Sequence, residues 1–271
     1  MTTHEIAETR QVRARLWNLM LNGNEAYEKD RIVLRRLRDV APDVERLAIN
    51  EAVFIERAWR FAIGLRAINQ VVYCGAPLPP NRPPHYAAWE AISLRQLQRV
   101  VYLEPDRLLA AKGGGYIADD IATVLNADPL DLVAAVERIG DEIAWDEPVA
   151  VVAPGMLHWL GSDMARAWTR QLSELVAPGS HLIATHFLDP ELDSAVVLVE
   201  RLLQAIDQTG TLGVPFFLRQ AAIAELFGGW DLVRPGVIPA QAWWPNGPQL
   251  RAETPCDRLM AGVVATIRRS P

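Results

Sequence analysis

Short apolar runs alternate with helical segments from residue 70 to the end of the chain, and this alternation restricts the fold more than any other feature. Strands that are apolar on both faces and alternate with helices are typical of a parallel sheet covered on both sides. The predicted strands lie at 71–73, 100–103, 122–125, 149–152 and 181–184, with closing strands at 230–233 and 262–267. The predicted helices of this part span 105–112, 129–138, 161–176, 190–208 and 216–227. The sequence therefore predicts an α/β fold with a mostly parallel sheet of about seven strands.

The first third of the chain has helical periodicity throughout. Apolar residues recur at helical spacing, for example at Val12, Leu16, Leu19 and Met20. Three amphipathic helices are predicted at 5–22, 24–39 and 43–66. A chain of 271 residues is expected to form one domain here, with residues 1–66 as a helical cap or lid and residues 67–271 as the α/β core.

Composition excludes several classes of function. The two cysteines, Cys74 and Cys256, have no metal-type spacing, so neither a disulfide framework nor a metal site is predicted. A net charge of −6 argues against a dedicated nucleic-acid binder, which needs a concentrated basic face. No apolar run approaches the roughly 20 residues of a membrane helix, and the amino terminus lacks the apolar stretch of a signal peptide. We therefore expect a soluble, cytoplasmic protein without a membrane partner.

Polar residues follow the predicted strands at the edge where open parallel sheets bind ligands. Glu104 ends the second strand, where a carboxylate can accept hydrogen bonds from both hydroxyls of a nucleotide ribose. Asp106 is better suited to cap the following helix. Asp128 follows the third strand and can reach an adenine edge or cap the helix that Pro129 is predicted to start, and capping is the favoured interpretation.

Candidate catalytic side chains follow the fourth and fifth strands. His158 is the best-placed candidate general base, because an imidazole can take a proton near neutral pH. A packed, hydrogen-bonded histidine is the alternative for this position. His186 is a second candidate. Trp243 and Trp244 lie in a proline-rich loop and can wall a pocket, whereas core packing is the default for Trp17 on its helix face.

Two glycine-containing patterns do not identify an activity. Gly113–Gly115 lack the Gly-Lys-Ser/Thr ending of a P-loop, so a flexible turn between helix and strand is predicted there. The sequence has no Gly-x-Ser-x-Gly elbow, so an α/β-hydrolase would have no nucleophile.

With these residues considered, the chain resembles a family of actinomycete-type S-adenosylmethionine (SAM)-dependent methyltransferases that was formerly catalogued as a domain of unknown function. The similarity extends over nearly the whole length. Residues 14–31 are similar to the family's opening A-R-V-Y-D-Y-L-L-G-G-K-D-N-F-x-x-D-R, and residues 100–106 to its V-V-Y-V-D-N-D. Residues 157–159 resemble its L-H-F, residues 177–180 its A-P-G-S, and residues 227–239 its closing F-F-D-G-L-E-L-V-E-P-G-L-V-P.

The resemblance implies a Rossmann-like class I methyltransferase fold with SAM as cofactor. His158 and His186 are the implied catalytic candidates. The implied cofactor contacts are Gly75, Pro77, Glu104, Pro105, Asp128 and Met156. The implied substrate contacts are Trp17, Tyr27, Trp159, Trp243 and Trp244.

The sequence departs from the family pattern in the loop after the first strand. The family's D-I-G-S-G-L-P-T corresponds to residues 73–80, with Tyr73 in place of the acid and Pro77 in place of the second glycine. Proline fixes φ near −65° and removes an N–H donor. Loss of the acid removes a partner for the methionine end of the cofactor.

Three functions are compatible with these residues. The first is SAM-dependent methylation of a small molecule, in a role such as secondary metabolism or antibiotic biosynthesis. The second is a methyltransferase fold that carries out non-methylating chemistry, such as a cyclase or isomerase reaction, with SAM binding weakened or lost through Tyr73 and Pro77. The third is a non-enzymatic ligand-binding or regulatory relative. We place the first ahead of the others, with a small-molecule partner, no nucleic-acid partner, and a homo-oligomer allowed.

Overall fold

The alternation of strands and helices is present in the structure, a computed structural model that describes residues 3–78, 97–117, 120–248 and 250–267. The loop at residues 73–80, in which the sequence departs from the family pattern, is therefore described only as far as Leu78. The strands are β1 (Gln70–Cys74), β2 (Arg99–Glu104), β3 (Ala122–Asn126), β4 (Ala150–Ala153), β5 (His181–Asp189), β6 (Leu218–Arg219), β7 (Asp231–Leu232), β8 (Ile238–Pro239) and β9 (Met260–Thr266). The helices are α1 (Thr3–Met20), α2 (Glu28–Val40), α3 (Arg46–Trp59), α4 (Arg107–Tyr116), α5 (Leu132–Ile139), α6 (Ser162–Leu175), α7 (Asp193–Thr209) and α8 (Gln220–Glu225).

The strands form one mixed sheet in the order β3-β2-β1-β4-β5-β9-β7. Strands β1 to β5 are parallel, and β9 runs antiparallel to β5. The two-residue strands β6 and β8 pair with β5 and β9, which raises the number of strands in the described part of the chain to nine. The strand order reverses between β1 and β4, so the carboxyl ends of these two strands mark the switch point where ligands bind in such sheets.

The sheet is buried on both faces because successive side chains of each strand point to opposite sides. On one face, Val100, Tyr102 and Ile183 pack beneath helices α1, α2, α3 and α7. On the other face, Val101 and Leu182 pack against helices α5, α6 and α8. This double coverage confirms the predicted fold class and leaves the strand ends as the natural place for a site.

The amino-terminal helices are fixed to the core by buried polar contacts. The Arg15 guanidinium pairs with Asp30, with 2.7 Å between Nε and Oδ2, and both side chains are buried. Asn50 on α3 donates to Asp257 at 3.0 Å. Helix α3 continues as a π-helical segment over Arg60–Leu65, so the helix predicted at 43–66 corresponds to these two parts.

Two predicted helices differ from the structure in their bounds. The helix predicted to start at Pro129 begins at Leu132, because Asp131 caps it by accepting from the Ala134 N–H at 3.1 Å. The helix predicted at 216–227 is the shorter α8, and the residues before it form β6. In both places a local capping or pairing interaction sets the start of the helix, and helical periodicity does not report such interactions.

Candidate functional site

The turn after β1 joins the ends of β1 and β2. Gly75 has a φ of +123°, a conformation that costs little only for glycine, and its N–H donates to the Leu103 carbonyl at 2.7 Å. Among the described residues, leaving out the two chain neighbours, a Cβ on Gly75 would meet only the Tyr73 Cε1 atom, at 3.9 Å. The backbone of this turn is thus open to close approach by a ligand.

Helix α4 packs directly against the same turn. A Cβ on Gly113 would lie 2.9 Å from the Ala76 Cβ and 3.2 Å from the Pro77 carbonyl oxygen. The prediction of a flexible turn at Gly113–Gly115 was therefore wrong, because these glycines belong to the last turns of α4. Gly113 lacks a side chain where the proline-containing turn makes contact.

Glu104 lies beside this turn at the end of β2, and its carboxylate is buried. Its Oε2 accepts from the Ala76 N–H at 3.2 Å, and its Oε1 accepts from the Asp106 N–H at 3.0 Å. A carboxylate has about four acceptor positions and can accept hydrogen bonds from hydroxyl groups such as those of a ribose. Asp106 caps α4 by accepting from the Leu109 N–H at 2.8 Å, which confirms the predicted cap.

The end of β3 lies next to Glu104. Asn126 donates from Nδ2 to the backbone carbonyls of Glu104 and Pro105, at 2.9 and 3.1 Å. Asp128 accepts from the Leu130 N–H at 3.0 Å, so it stabilises a turn before α5 instead of capping the helix. Sequence reasoning missed Asn126, although it ends β3 as Glu104 ends β2.

His158 is fully buried in the loop after β4. Neither of its ring nitrogens has a hydrogen-bond partner among the described residues. Its ring stacks on Phe187, with 3.8 Å between centroids. Burial, together with the charges of His186 and Arg13, holds the pKa of His158 well below its usual range. His158 is therefore neutral at physiological pH and has a free acceptor.

His186 lies on β5 within 5.9 Å of the His158 ring centroid. Its Nδ1 is 2.7 Å from the Phe187 carbonyl oxygen, which can only accept, so Nδ1 carries the proton and Nε2 is the free acceptor. That Nε2 is buried and has no partner in the described part of the chain. Burial lowers the pKa of His186 to about 4.

Glu51 is a residue of this site that sequence reasoning missed. It reaches from α3 to the ends of β4 and β5 and accepts from Trp17 Nε1 at 2.6 Å and from Thr185 Oγ1 at 2.5 Å. A Cβ on Gly155 would lie 3.4 Å from Glu51 Oε2 and 3.7 Å from His158 Cε1. Burial raises the pKa of Glu51 to about 7, although hydrogen bonds from Thr185, Trp17 and Gly155 act in the opposite direction.

Helix α1 covers the carboxyl edge of the sheet. Gln11 donates to the carboxylate of Asp106, and Asn18 donates to the Leu78 carbonyl at 3.3 Å. Together with the bond from Trp17 to Glu51, these contacts connect α1 to the edge from β2 to β5. The Arg13 guanidinium lies 3.7 Å from the ring centroid of Trp159.

A small apolar cavity of about 20 Å³ lies beneath α1, enough space for roughly one water molecule. His158 is not one of its walls but stacks on Phe187, which is. The walls come from α1, α2, α3, β5, α7 and the segments that follow β4 and α7. They include Leu16, Trp17, Trp159, Phe187, Leu202 and Phe217. Met156 precedes His158 and is half-buried.

The structure does not bring all predicted substrate residues to this edge. Trp243 is fully buried and packs edge-on against Phe54 and Phe61, and Trp244 stacks on Trp243. Phe61 contacts His181 at the start of β5, which is the opposite end of the sheet. The predicted pocket-wall role of both tryptophans is thus corrected to packing around α3.

Tyr27 also lies apart from the cavity. Its side chain is 53% exposed, and the Arg15 guanidinium lies 4.8 Å from its ring centroid. The turn between α1 and α2 that carries Tyr27 is fixed by a salt bridge between Glu25 and Lys112 of α4.

The strand order, the open glycine turn and the carboxylate at the end of β2 define a class I SAM-dependent methyltransferase fold. The residues fit the cofactor, because Glu104 places a buried carboxylate at the end of β2 beside the turn at Gly75, whose conformation allows close approach. The family model for S-adenosyl methyltransferase matches residues 1–268. The chain belongs to this family, whose cofactor is SAM.

Solved structures agree with this assignment. A protein from Thermobifida fusca assigned to the methyltransferases superposes with a TM-score of 0.83 at 25% identity, covering 94% of each chain. A DUF574 family protein from Streptomyces avermitilis gives 0.82 at 21% identity, covering 94% of this chain and 97% of its own. Magnesium protoporphyrin IX methyltransferase from Synechocystis, with bound S-adenosylhomocysteine (SAH), gives 0.53 at 12% identity and covers 93% of both chains.

Three further findings identify no additional activity. Among proteins with curated functions, none matches the chain significantly. Within the described residues, no group of His, Cys, Asp and Glu side chains is arranged to hold a metal ion. None of the helices in this part of the chain has the length and apolar character needed to span a bilayer.

Proposed function

We propose that the chain transfers a methyl group from SAM to a small molecule whose apolar part packs beneath α1. The observation that carries this proposal is His158, a buried imidazole whose two nitrogens have no partner in the described residues and whose ring stacks on Phe187, a wall of the apolar cavity. Buried polar groups are normally hydrogen-bonded. A polar group of the acceptor molecule would supply the missing partner.

In this proposal the cofactor lies along the carboxyl edge. Glu104 accepts hydrogen bonds from the ribose hydroxyls, and the turn at Gly75 allows the backbone to approach the ligand. Pro105, Asp128 and Met156 border the same edge as further contacts. When bound, SAM supplies an electrophilic methyl group, so the protein needs to align the reactants and exclude water.

His158 orients the acceptor more than it removes a proton. Its lowered pKa makes it a weak base, since proton transfer is most efficient when the pKa of the base is near the working pH. A neutral imidazole can still accept a hydrogen bond from a hydroxyl or amine and so direct a lone pair of that group. His186 has the same free acceptor on its Nε2 atom and borders His158.

Helix α1 excludes water from the reacting groups. Its contacts with Asp106, Leu78 and Glu51 extend across the whole edge, and Trp17 and Trp159 supply apolar surface for the acceptor. Water exclusion strengthens the electrostatic interactions within such a site. A role in secondary metabolism, a cytoplasmic location and a homo-oligomeric state stay predictions from the sequence.

Non-methylating chemistry has less support than methyl transfer. A pocket made apolar by Tyr73, Pro77, Trp243 and Trp244 would favour that alternative, and two of these residues, Trp243 and Trp244, pack elsewhere. Tyr73 and Pro77 are the two that lie near the edge.

The test combines binding with product analysis. Titration calorimetry with SAM and SAH is expected to give micromolar affinity, and Glu104→Ala is expected to weaken it at least about tenfold through loss of the ribose contacts. The matched control is Glu147→Ala, an exposed glutamate before β4 at the other end of the sheet. Its affinity should equal that of the wild type.

The acceptor class is tested with methyl-labelled SAM and a cell extract. We expect label in the small-molecule fraction. Label only in precipitated protein or nucleic acid would contradict a small-molecule acceptor, and failure to bind SAM and SAH would contradict the proposed activity itself.

A further inference from the structure

Glu51 is a buried carboxylate without a cation. Its side chain is only 4% exposed, and no salt bridge to it is formed within residues 3–78, 97–117, 120–248 and 250–267. By contrast, the buried carboxylates of Asp30 and Asp257 each pair with an arginine. An uncompensated buried carboxylate costs several kcal/mol. A positively charged ligand would offset this cost.

The surroundings of Glu51 are built to hold a carboxylate in one position. Trp17 donates to Oε1 and Thr185 donates to Oε2, while the Gly155 N–H donates to Thr185 Oγ1 at 2.7 Å. Two donors, from α1 and β5, thus converge on one side chain of α3, and the loop after β4 holds the second of them in place. They supply partial positive charge but no full charge.

This carboxylate lies over the switch point of the sheet. Gly155 follows β4, Thr185 lies on β5, and Tyr73 comes from the end of β1. The Tyr73 ring edge borders the glycine turn, and burial together with the Glu51 charge raises the pKa of the Tyr73 phenol. Glu51 therefore occupies the neighbourhood in which the first strand has Tyr73 instead of an acid.

A second observation points to a ligand at this place. His158 is fully buried without a hydrogen-bond partner in the described residues. Both Glu51 Oε2 and His158 Cε1 lie within 3.7 Å of one point, the Cβ position of Gly155. A buried acid without a cation and a buried imidazole without a partner thus meet where the cofactor and the acceptor adjoin.

We propose that Glu51 is the counter-charge for the ammonium group at the methionine end of SAM, and that α3 thereby supplies the acid that β1 lacks. This inference rests on the proposed SAM-dependent function. It assigns Glu51 to cofactor binding and leaves the acceptor to His158.

Cofactor binding should release a proton. With a pKa of about 7, Glu51 is mostly protonated at about pH 6.5, and an adjacent cation favours its charged form. The titratable groups around it are Tyr73 and His158, with Arg13 and His186 next to His158. The lowered pKa values of both histidines keep them neutral at this pH, and an α-amino group with a pKa of about 7.7 to 8.0 is already protonated.

The experiment is titration calorimetry of the full chain at about pH 6.5, in two buffers that differ in ionisation enthalpy. The ligands are SAM, SAH and 5′-methylthioadenosine, which lacks the amino-acid end. We expect SAM and SAH to release more than about half a proton, and methylthioadenosine to release none.

Glu51→Gln is expected to bind SAM and SAH at least about 30-fold more weakly, since one partner of a buried charge pair is removed. Its affinity for methylthioadenosine should change less than about twofold. Glu56→Gln is the matched control, because it makes the same change on the same helix at a residue that pairs with Arg60. It should behave as the wild type does.

SAM binding without proton release in the wild type would overturn the inference and leave the proposed function intact, and this result does not depend on whether Glu51→Gln folds. Equal weakening of SAM and methylthioadenosine in Glu51→Gln would also overturn it, because that pattern indicates a purely structural role. If none of the three nucleosides binds, the proposed function fails and the inference fails with it.

Discussion

Asn50 and Glu51 are consecutive residues of α3 and belong to two buried carboxylate networks. The two networks differ in whether the carboxylate is paired with a cation. Asn50 donates to Asp257, which is fully buried and also accepts from Arg251 at 2.5 and 2.6 Å and from Thr254. Glu51 accepts from Trp17 and Thr185 but has no arginine or lysine partner in the described residues. Burial alone would raise the pKa of Asp257, but the hydrogen bonds from Arg251, Asn50 and Thr254 hold it well below its usual range.

The difference separates a structural charge that contacts α3 from a functional charge that α3 carries. Asp257 carries its own cation, so its network is complete and fixes the segment before β9 to α3. Glu51 has donors arranged around it without a countercharge, so its network is completed only by something that binds. Substitutions of Asp257 should change the stability of the fold, and substitutions at the strand edge near Glu51 should change ligand binding.

The largest effect is expected from Asp257→Asn. The substitution leaves Arg251 without its partner and directs an amide NH₂ group at existing donors, which should lower the free energy of unfolding by about 3 kcal/mol. Urea unfolding measures it, with Asp163→Asn as the control because that side chain is 99% exposed. SAM affinity of the folded variant should stay within about twofold, and a large loss of affinity would break the comparison.

The next effect is the pH dependence of stability conferred by Glu51. Its pKa is about 7 in the folded protein against an ordinary 4.5, so between these values the folded state binds more protons than the unfolded state. This contribution to stability therefore falls as pH rises from about 5 to about 7 and is constant above.

Between about pH 5.5 and 8, wild-type protein should lose about 2 kcal/mol of stability relative to Glu51→Gln. Urea titrations of both proteins at the two pH values measure the difference, in which the contributions of the buried histidines cancel. Parallel curves for the two proteins would show that Glu51 is ionised or neutral in both states alike.

The smallest effect, on SAM affinity, is expected from a substitution in α4, where Gly113 contacts the turn after β1. A Cβ there would displace Ala76 and Pro77, so Gly113→Ala should weaken SAM binding about tenfold. Gly114→Ala is the matched control, since within the described part of the chain its Cβ would meet only Val124, at 3.9 Å. Calorimetric titration of both variants decides the point, and equal affinities would mean that the turn adapts without cost to binding.

Much of the fold could be predicted because it depends on local patterns. Runs such as Val100–Leu103 are buried on both faces, and their alternation with helices determines the parallel sheet. Glu104 and Asp106 could be assigned from their position at the end of such a run.

Glu51 was not predicted as a site residue because it belongs to an amphipathic helix whose apolar stripe indicates core packing. The stripe Leu47, Ala48, Ile55 and Ala58 has its gap at residue 51, so the acid stands on the buried face. A charged residue at a core position of an amphipathic helix was therefore an available signal. Its hydrogen bonds to Trp17 and Thr185 span 34 and 134 residues of sequence and could not be derived from local pattern.

The positions of the two tryptophans near the carboxyl terminus also depend on a tertiary contact that the sequence pattern does not report. Trp243 and Trp244 follow a proline-rich loop that favours exposure, yet Trp243 is packed against Phe54 and Phe61. Only the tertiary contact with α3 decides which of the two indoles is buried. Sequence alone gave both the same interpretation.

The attachment of α1 across the strand edge links access to recognition. The groups that α1 contacts, the carboxylates of Asp106 and Glu51 among them, border the same edge as the nucleoside. A nucleoside that enters must separate the helix from these groups, and the helix must return before the reactants are sealed from solvent. Under the proposed function, exchange of the cofactor therefore depends on the hydrogen bonds that hold α1 to Asp106 and Glu51.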